Sequence, residues 1–160
     1  MAPRRARLSI EIKTAAWRKA WPKASAEARR LLAVAADWPE VEAVAGGEVS
    51  IVLADDPTLQ ELNVRFRAKN KPTNVLSFPD GEARPGGGIA LSFETIAAEA
   101  KVQGKPFVNH AKHMILHGFL HLLGFDHDKP RAARLMEGLE IAMLARMGIP
   151  NPYLIEKTRA

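Results

Sequence analysis

The sequence predicts an α/β fold of the α+β kind: four strands packed with about five helices in a mixed layer architecture, in a single domain over residues 1–160. A histidine-bearing helix is expected at its centre. Two observations predict this. Strand-like and helix-like segments interleave along the chain, the pattern of a mixed layer architecture. The chain has 160 residues, the size of one ordinary domain, and carries no repeat, linker or low-complexity stretch.

Residues 7–13, with "LSIEIK", alternate apolar and polar and read as a strand. "AAWRKAWPKASAEARRLLAVAADW" reads as helix, with Pro22 near a break or at a first helical position. "EVSIVLAD" alternates and then runs apolar, as a half-buried strand does. "DDPTLQELNVRFRA" offers an aspartate cap, a proline near the helix start, and Leu59, Leu62 and Phe66 at helical spacing. "NVLSFP" and "GGIALSF" read as two further strands separated by "DGEARPGG", a hairpin-like or disordered loop. "ETIAAEAKVQG" is helical and ends at Gly104. A last helix is expected around "DKPRAARLMEGLEIAMLARMG".

Composition is that of a globular protein, with 47% hydrophobic and 26% charged residues. The absence of cysteine excludes disulfides and thiolate metal sites, so any metal site must use His, Asp or Glu. A net charge of +5 attracts polyanions, RNA and DNA included, although it is equally an ordinary solubility charge. "PRRAR" at 3–7 is a basic arm or a solvated terminus. No apolar run approaches the roughly 20 residues that span a membrane, and no signal-peptide core opens the chain, so a cytoplasmic protein without membrane attachment is expected.

All five histidines fall between residues 110 and 127. "KPFVNHAKHMILHGFLHLLG" opens with a proline and closes on Gly124, positions suited to a helix start and a C′ glycine. At roughly 100° per residue, His110, His113, His117 and His121 fall within about 80° of arc. Val108, Ala111, Ile115, Phe119 and Leu122 occupy the opposite side, so a buried helix with an imidazole stripe is expected. An H-x3-H pair alone carries little weight, because such neighbours are frequent. The third member matters more. Gly124 can turn the chain back so that His127 reaches the point where His117 and His121 converge. Three neutral imidazoles suit zinc, one ion per chain, with one tetrahedral position left open.

The spacing H-x3-H-x2-G-x2-H is also that of the metzincin peptidases, which carry a glutamate general base directly after the first histidine. Here that position is Gly118, so peptidase chemistry lacks its base. Two long segments, "HGFLHLLGFDH" at 117–127 and "LNVRFRAKNKPTNVLSFP" at 62–79, together with "VSIVLADD" and "MEGLE", give a different resemblance. Over residues 48–147 the chain resembles the YbeY family of bacterial rRNA maturation endoribonucleases, while the first 40 residues carry little of it.

That resemblance implies a compact α/β fold with a small mixed four-stranded sheet, and a metal held by His117, His121 and His127. It implies cleavage of single-stranded RNA in 16S rRNA 3′-end maturation and late ribosome quality control, in contact with the small ribosomal subunit and an assembly GTPase. The family's functional arginine falls on Arg67. Two positions depart from the pattern: Gly88 replaces an acidic residue, and Phe125 replaces a commoner tyrosine.

A zinc-type ion would activate water and polarise a phosphoryl oxygen, with Arg67 stabilising charge on the scissile phosphate. Lys69 and Lys71 are candidates to hold the RNA backbone, or ordinary turn residues. His113, one turn before the ligands, is a candidate to assist catalysis or to hold a hydrogen bond behind them. Asp126 orients an imidazole or caps the following helix. Thr73, Asn74 and Ser77 lie in the motif but read equally as turn and strand residues. Two rivals stand beside this reading: a zinc metallopeptidase-like hydrolase, and a non-catalytic assembly factor whose structural metal takes Asp126 or Asp128 as a fourth ligand.

Overall fold

The computed structural model describes residues 7–42, 47–67, 73–79 and 86–154. In chain order these form β1 (Arg7–Ile12), α1 (Ala15–Ala20), α2 (Ala24–Ala36), α3 (Pro39–Glu42), β2 (Glu48–Ala54) and α4 (Asp56–Arg67). There follow β3 (Val75–Pro79), β4 (Gly87–Ser92), α5 (Phe93–Gln103), α6 (Phe107–Leu122) and α7 (Pro130–Arg146). The strands make one mixed sheet in the order β1-β2-β4-β3, parallel except for the antiparallel pair of β3 and β4. The strand and helix segments expected from the sequence are all present, and the antiparallel β3–β4 pair agrees with the hairpin-like connection. The connection itself, residues 80–85, lies outside the described residues, as do residues 3–6 of "PRRAR".

Seven helices among the described residues replace the expected five or so. The run from residue 15 to 38 divides in two at Trp21, whose φ of −143° and ψ of 74° leave the helical region. Proline at 22 lacks an N–H and disfavours helical geometry at the residue before it. The short α3 was not foreseen. At α4 the expected cap is found: Asp55 Oδ1 accepts from the Thr58 backbone N–H at 3.0 Å.

Strand alternation sorts the core into two layers. Val49, Ile51 and Leu53 of β2 and Ile89 and Leu91 of β4 join the main cluster with buried residues of α2, α6 and α7. Ala54 and Ala90, on the opposite face, join Leu59 of α4 and Leu76 of β3. Thus α4 covers one face, and α6 lies on the other with ten buried residues. No helix among the described residues is long and apolar enough to cross a membrane.

Gly118 is where α6 meets the sheet. A Cβ there would lie 2.8 Å from Ile89 Cγ2 and 3.0 Å from Ser77 Oγ, inside contact distance of both. The Ser77 hydroxyl donates to the Gly118 carbonyl at 3.1 Å, pinning this turn to the edge strand β3. The absence of a side chain therefore seats the helix turn carrying His117. Gly88 differs, because a Cβ there meets only Ser50 O at 3.8 Å and Phe78 Cδ2 at 3.9 Å. It alternates with Ile89 and so faces the α4 layer, away from the histidine helix.

Introducing the peptidase glutamate by Gly118→Glu is expected to lower stability by about 3 kcal/mol or more, from overpacking and burial of a carboxylate. Urea denaturation measures it. Gly88→Ala, with ordinary contacts, should leave the unfolding midpoint undiminished.

Candidate metal centre

Helix α6 ends where the sequence requires a turn. Leu123 is the C-cap, Gly124 takes φ = 98°, and two bonds close the end: Gly124 N–H to His121 O at 3.0 Å and Phe125 N–H to Leu120 O at 3.0 Å. This is the Schellman pattern, and a positive φ here favours glycine. The chain then turns back. Asp126 Oδ1 accepts from the backbone N–H of His127 at 2.6 Å and of Asp128 at 3.1 Å, which shapes the loop that presents His127. Those bonds hold the Asp126 carboxyl below its usual pKa. Asp126 does not cap α7, whose N-cap is Lys129 followed by Pro130.

The result is convergence. One ring nitrogen from each of His117, His121 and His127 lies within 4.8 Å of the other two. His117 Nε2 and His121 Nε2 are 3.1 Å apart, close to the roughly 3.3 Å between two nitrogens on a tetrahedral zinc with Zn–N of about 2.05 Å. Ring centroids are separated by 4.7 Å for His117–His121, 5.0 Å for His121–His127 and 5.3 Å for His117–His127. His117 and His121 are half-buried, and His127 is exposed.

Behind His117 stands a residue that the sequence reading did not single out. Glu140 of α7 is fully buried, and its Oε2 accepts from His117 Nδ1 at 2.9 Å and from His113 Nε2 at 3.0 Å. The Tyr153 hydroxyl donates to its other oxygen. An ionised carboxylate only accepts, so His117 must carry its proton on Nδ1, leaving the Nε2 lone pair facing His121. Burial alone would raise the Glu140 pKa, but the bonds from His113 and His117 outweigh it and hold the group at about 2. Burial, followed by the neighbouring His117 and His127, lowers the pKa of His121.

These features fit a divalent cation. His117 Nε2 turns its lone pair towards His121 Nε2 at 3.1 Å, a spacing at which two neutral imidazoles share one cation. The tautomer of His117 is fixed by a carboxylate in the manner common to metal-ligating histidines. Among the described residues, Asp126 and Asp128 group with His127 in a separate exposed set and not with the three histidines.

The remaining predicted positions are distributed around this point. His113 lines the cleft wall, with Nε2 engaged by Glu140. Arg67, exposed at the end of α4, donates to Ser77 O at 3.1 Å, and Ser77 in turn holds Gly118, next to His117. Asn74 donates to Glu99, at 3.0 Å to Oε1. Lys69 and Lys71 lie outside the described residues. A cleft of about 950 Å³ runs along the helix and is bordered by His110, His113, His117, His127 and Tyr153.

The model of the family described as "Endoribonuclease YbeY" matches residues 9–148 of the chain. The match begins well before the segment that carried the resemblance. A curated "Endoribonuclease YbeY" of Rhodopseudomonas palustris is 47% identical over 140 residues, 82% of this chain and 74% of that protein. One of Paramagnetospirillum magneticum is 45% identical over 159 residues, 91% of this chain and 94% of that protein. A Thermotoga maritima protein of known solution structure shares the fold with a TM-score of 0.60 at 19% identity, covering 95% of this chain and all of its own.

Glu140→Gln is expected to weaken zinc binding by about 10- to 100-fold, read by competition with a chromogenic chelator. The same residue predicts an acid limb of stability. Its depressed pKa contributes in full above about 4.5, and the contribution, on the order of 3 kcal/mol, is lost as pH falls towards about 2. Urea titrations across that range should show the slope in the wild type and its loss in the variant.

Proposed function

The chain belongs to the YbeY endoribonuclease family, and from that premise we propose that it is a metal-dependent endoribonuclease cutting single-stranded RNA. Following the family resemblance, its substrate is 16S rRNA at the 3′ end, during maturation and late quality control of the small ribosomal subunit. The subunit and an assembly GTPase are its partners in the cytoplasm. The observation that carries the reading is the convergence of three histidine nitrogens, two of whose rings border a large cleft, backed by a buried carboxylate.

His117, His121 and His127 would hold the ion. A zinc-type ion there supplies Lewis-acid chemistry to a phosphodiester. The chain's own residues set the stage for it. Glu140 fixes the His117 tautomer, and His113 and Tyr153 keep that carboxylate ionised and in place. We therefore assign His113 to positioning rather than to proton transfer. Arg67 is exposed and has donors beyond the one that grips Ser77 O, so it can take a phosphate oxygen while remaining anchored to the strand behind His117. Lys69 and Lys71 follow it in sequence and are assigned to the RNA backbone, with the net charge of +5 drawing in the polyanion.

The rival readings are less well supported. Position 118 faces Ile89 and Ser77, so even a glutamate there would point into the sheet and not to the histidines. A structural zinc normally has four protein ligands, and the histidine group has three among the described residues.

His121→Ala should retain the fold by circular dichroism yet lose cleavage of a defined single-stranded RNA by roughly 100-fold or more. Chelation of the metal should have the same effect, reversed by zinc. Casein should remain intact throughout. Undiminished RNA cleavage by the variant would overturn the proposal.

A further inference from the structure

The cleft extends well beyond His117 and His127. His110 lies seven residues, or roughly 10 Å of helix rise, before His117 on the same wall. The two ends differ in chemistry. At one end stand His117 and His127, the seat of a cation on the reading above. At the other stands Glu99, whose side chain is one-third exposed. Its Oε1 accepts from His110 Nε2 at 2.9 Å and Asn74 Nδ2 at 3.0 Å, while Oε2 receives only the longer branch from Asn74 at 3.2 Å. A carboxylate oxygen accepts two bonds, so Oε2 retains capacity for a donor from within the cleft. Lys105 Nζ is bonded to the Pro152 carbonyl, which leaves Glu99 Oε2 open to a donor, while its charge still acts on this carboxylate.

Between the ends the walls are largely apolar. Of the six large hydrophobic side chains exposed among the described residues, three border this one cleft: Val102, Tyr153 and Leu154. Met114 and Val75 line it deeper. A flat ring with an apolar face and a polar edge suits such walls, and an aromatic lip such as Tyr153 favours stacking. A phosphate suits the histidine end, the seat of the cation, and is repelled by Glu99 at the other.

We propose that this cleft binds the unpaired base of the nucleotide adjoining the scissile phosphate, with Glu99 Oε2 accepting a hydrogen bond from the base's exocyclic amine. The inference rests on the endoribonuclease reading and adds a specificity to it. Cytosine, adenine and guanine carry such an amine. Uracil carries none, and its one N–H lies between two carbonyl oxygens that would face the carboxylate. Bases with an amine are therefore preferred at this position.

Cytidine and uridine 5′-monophosphates test this without any scissile bond, because they differ at the edge concerned. With zinc-loaded protein, calorimetry should find the cytidine nucleotide bound about tenfold more tightly, the effect of one hydrogen bond to a charged group. Amide NMR shifts on binding should map to Val102, Met114 and Tyr153. Glu99→Gln, checked for folding by thermal melt, should bring the two nucleotides to similar affinity. Equal binding of both by the wild type, failure of both to bind at millimolar concentration, or shifts confined to other surfaces would overturn the proposal, whether or not the variant folds. The readout is independent of cleavage. A base preference without RNA cleavage would leave the subsite standing and remove the nuclease reading, whereas cleavage without the preference would do the reverse.

Discussion

A carboxylate sealed from solvent must be surrounded by donors, and Glu140 has three: the rings of His117 and His113 and the hydroxyl of Tyr153. These come from α6 and from the segment after α7, so one buried charge ties three parts of the chain together. Its effect on the site is specific. By accepting the hydrogen bond from His117 Nδ1–H it leaves Nε2 as the atom that faces His121. Without that constraint the imidazole could rotate or change tautomer, and the convergence of the three rings would lose its anchor. Breaking such a buried set by removing one member leaves the others uncompensated, which is why the cost falls on both fold and site.

The second constraint is steric. The turn of α6 that carries His117 touches β3 and β4 through a position with no side chain, and the Ser77 hydroxyl fastens it there. Arg67 holds the same strand from the end of α4. The proposed phosphate-binding arginine and the proposed metal ligands are thus linked by two hydrogen bonds across an edge strand, although they lie fifty residues apart in sequence. The glycine that removes the peptidase base is the one that brings the helix onto the sheet, so its absence of side chain has a structural reason as well as a chemical consequence.

Much of this was legible in the sequence because it is local. The helix period, the histidine stripe and the Gly124 reversal depend on neighbours within a few residues, and the structure brings the three histidines together as that spacing implied. The strand segments were legible for the same reason. The order β1-β2-β4-β3 was not, since pairing is decided by contacts remote in sequence. Glu140 was missed because its partners lie 23 and 27 residues away. A signal was nevertheless present: the buried stripe of α7 runs Met136, Leu139, Glu140, Met143 and Leu144, and an acid among core positions requires a partner. The far end of the cleft was illegible, because Asn74, Glu99 and His110 meet only once α5, α6 and β3 have packed.

The central claim is that three imidazoles, with no fourth protein ligand, share one metal. X-ray absorption on the zinc-loaded protein tests it most directly. The expected result is three imidazole nitrogens at about 2.0–2.1 Å and one exchangeable light-atom ligand, falling to two imidazoles in His127→Ala. A shell of four protein ligands, or a wild-type spectrum that the loss of His127 leaves unchanged, would contradict the account.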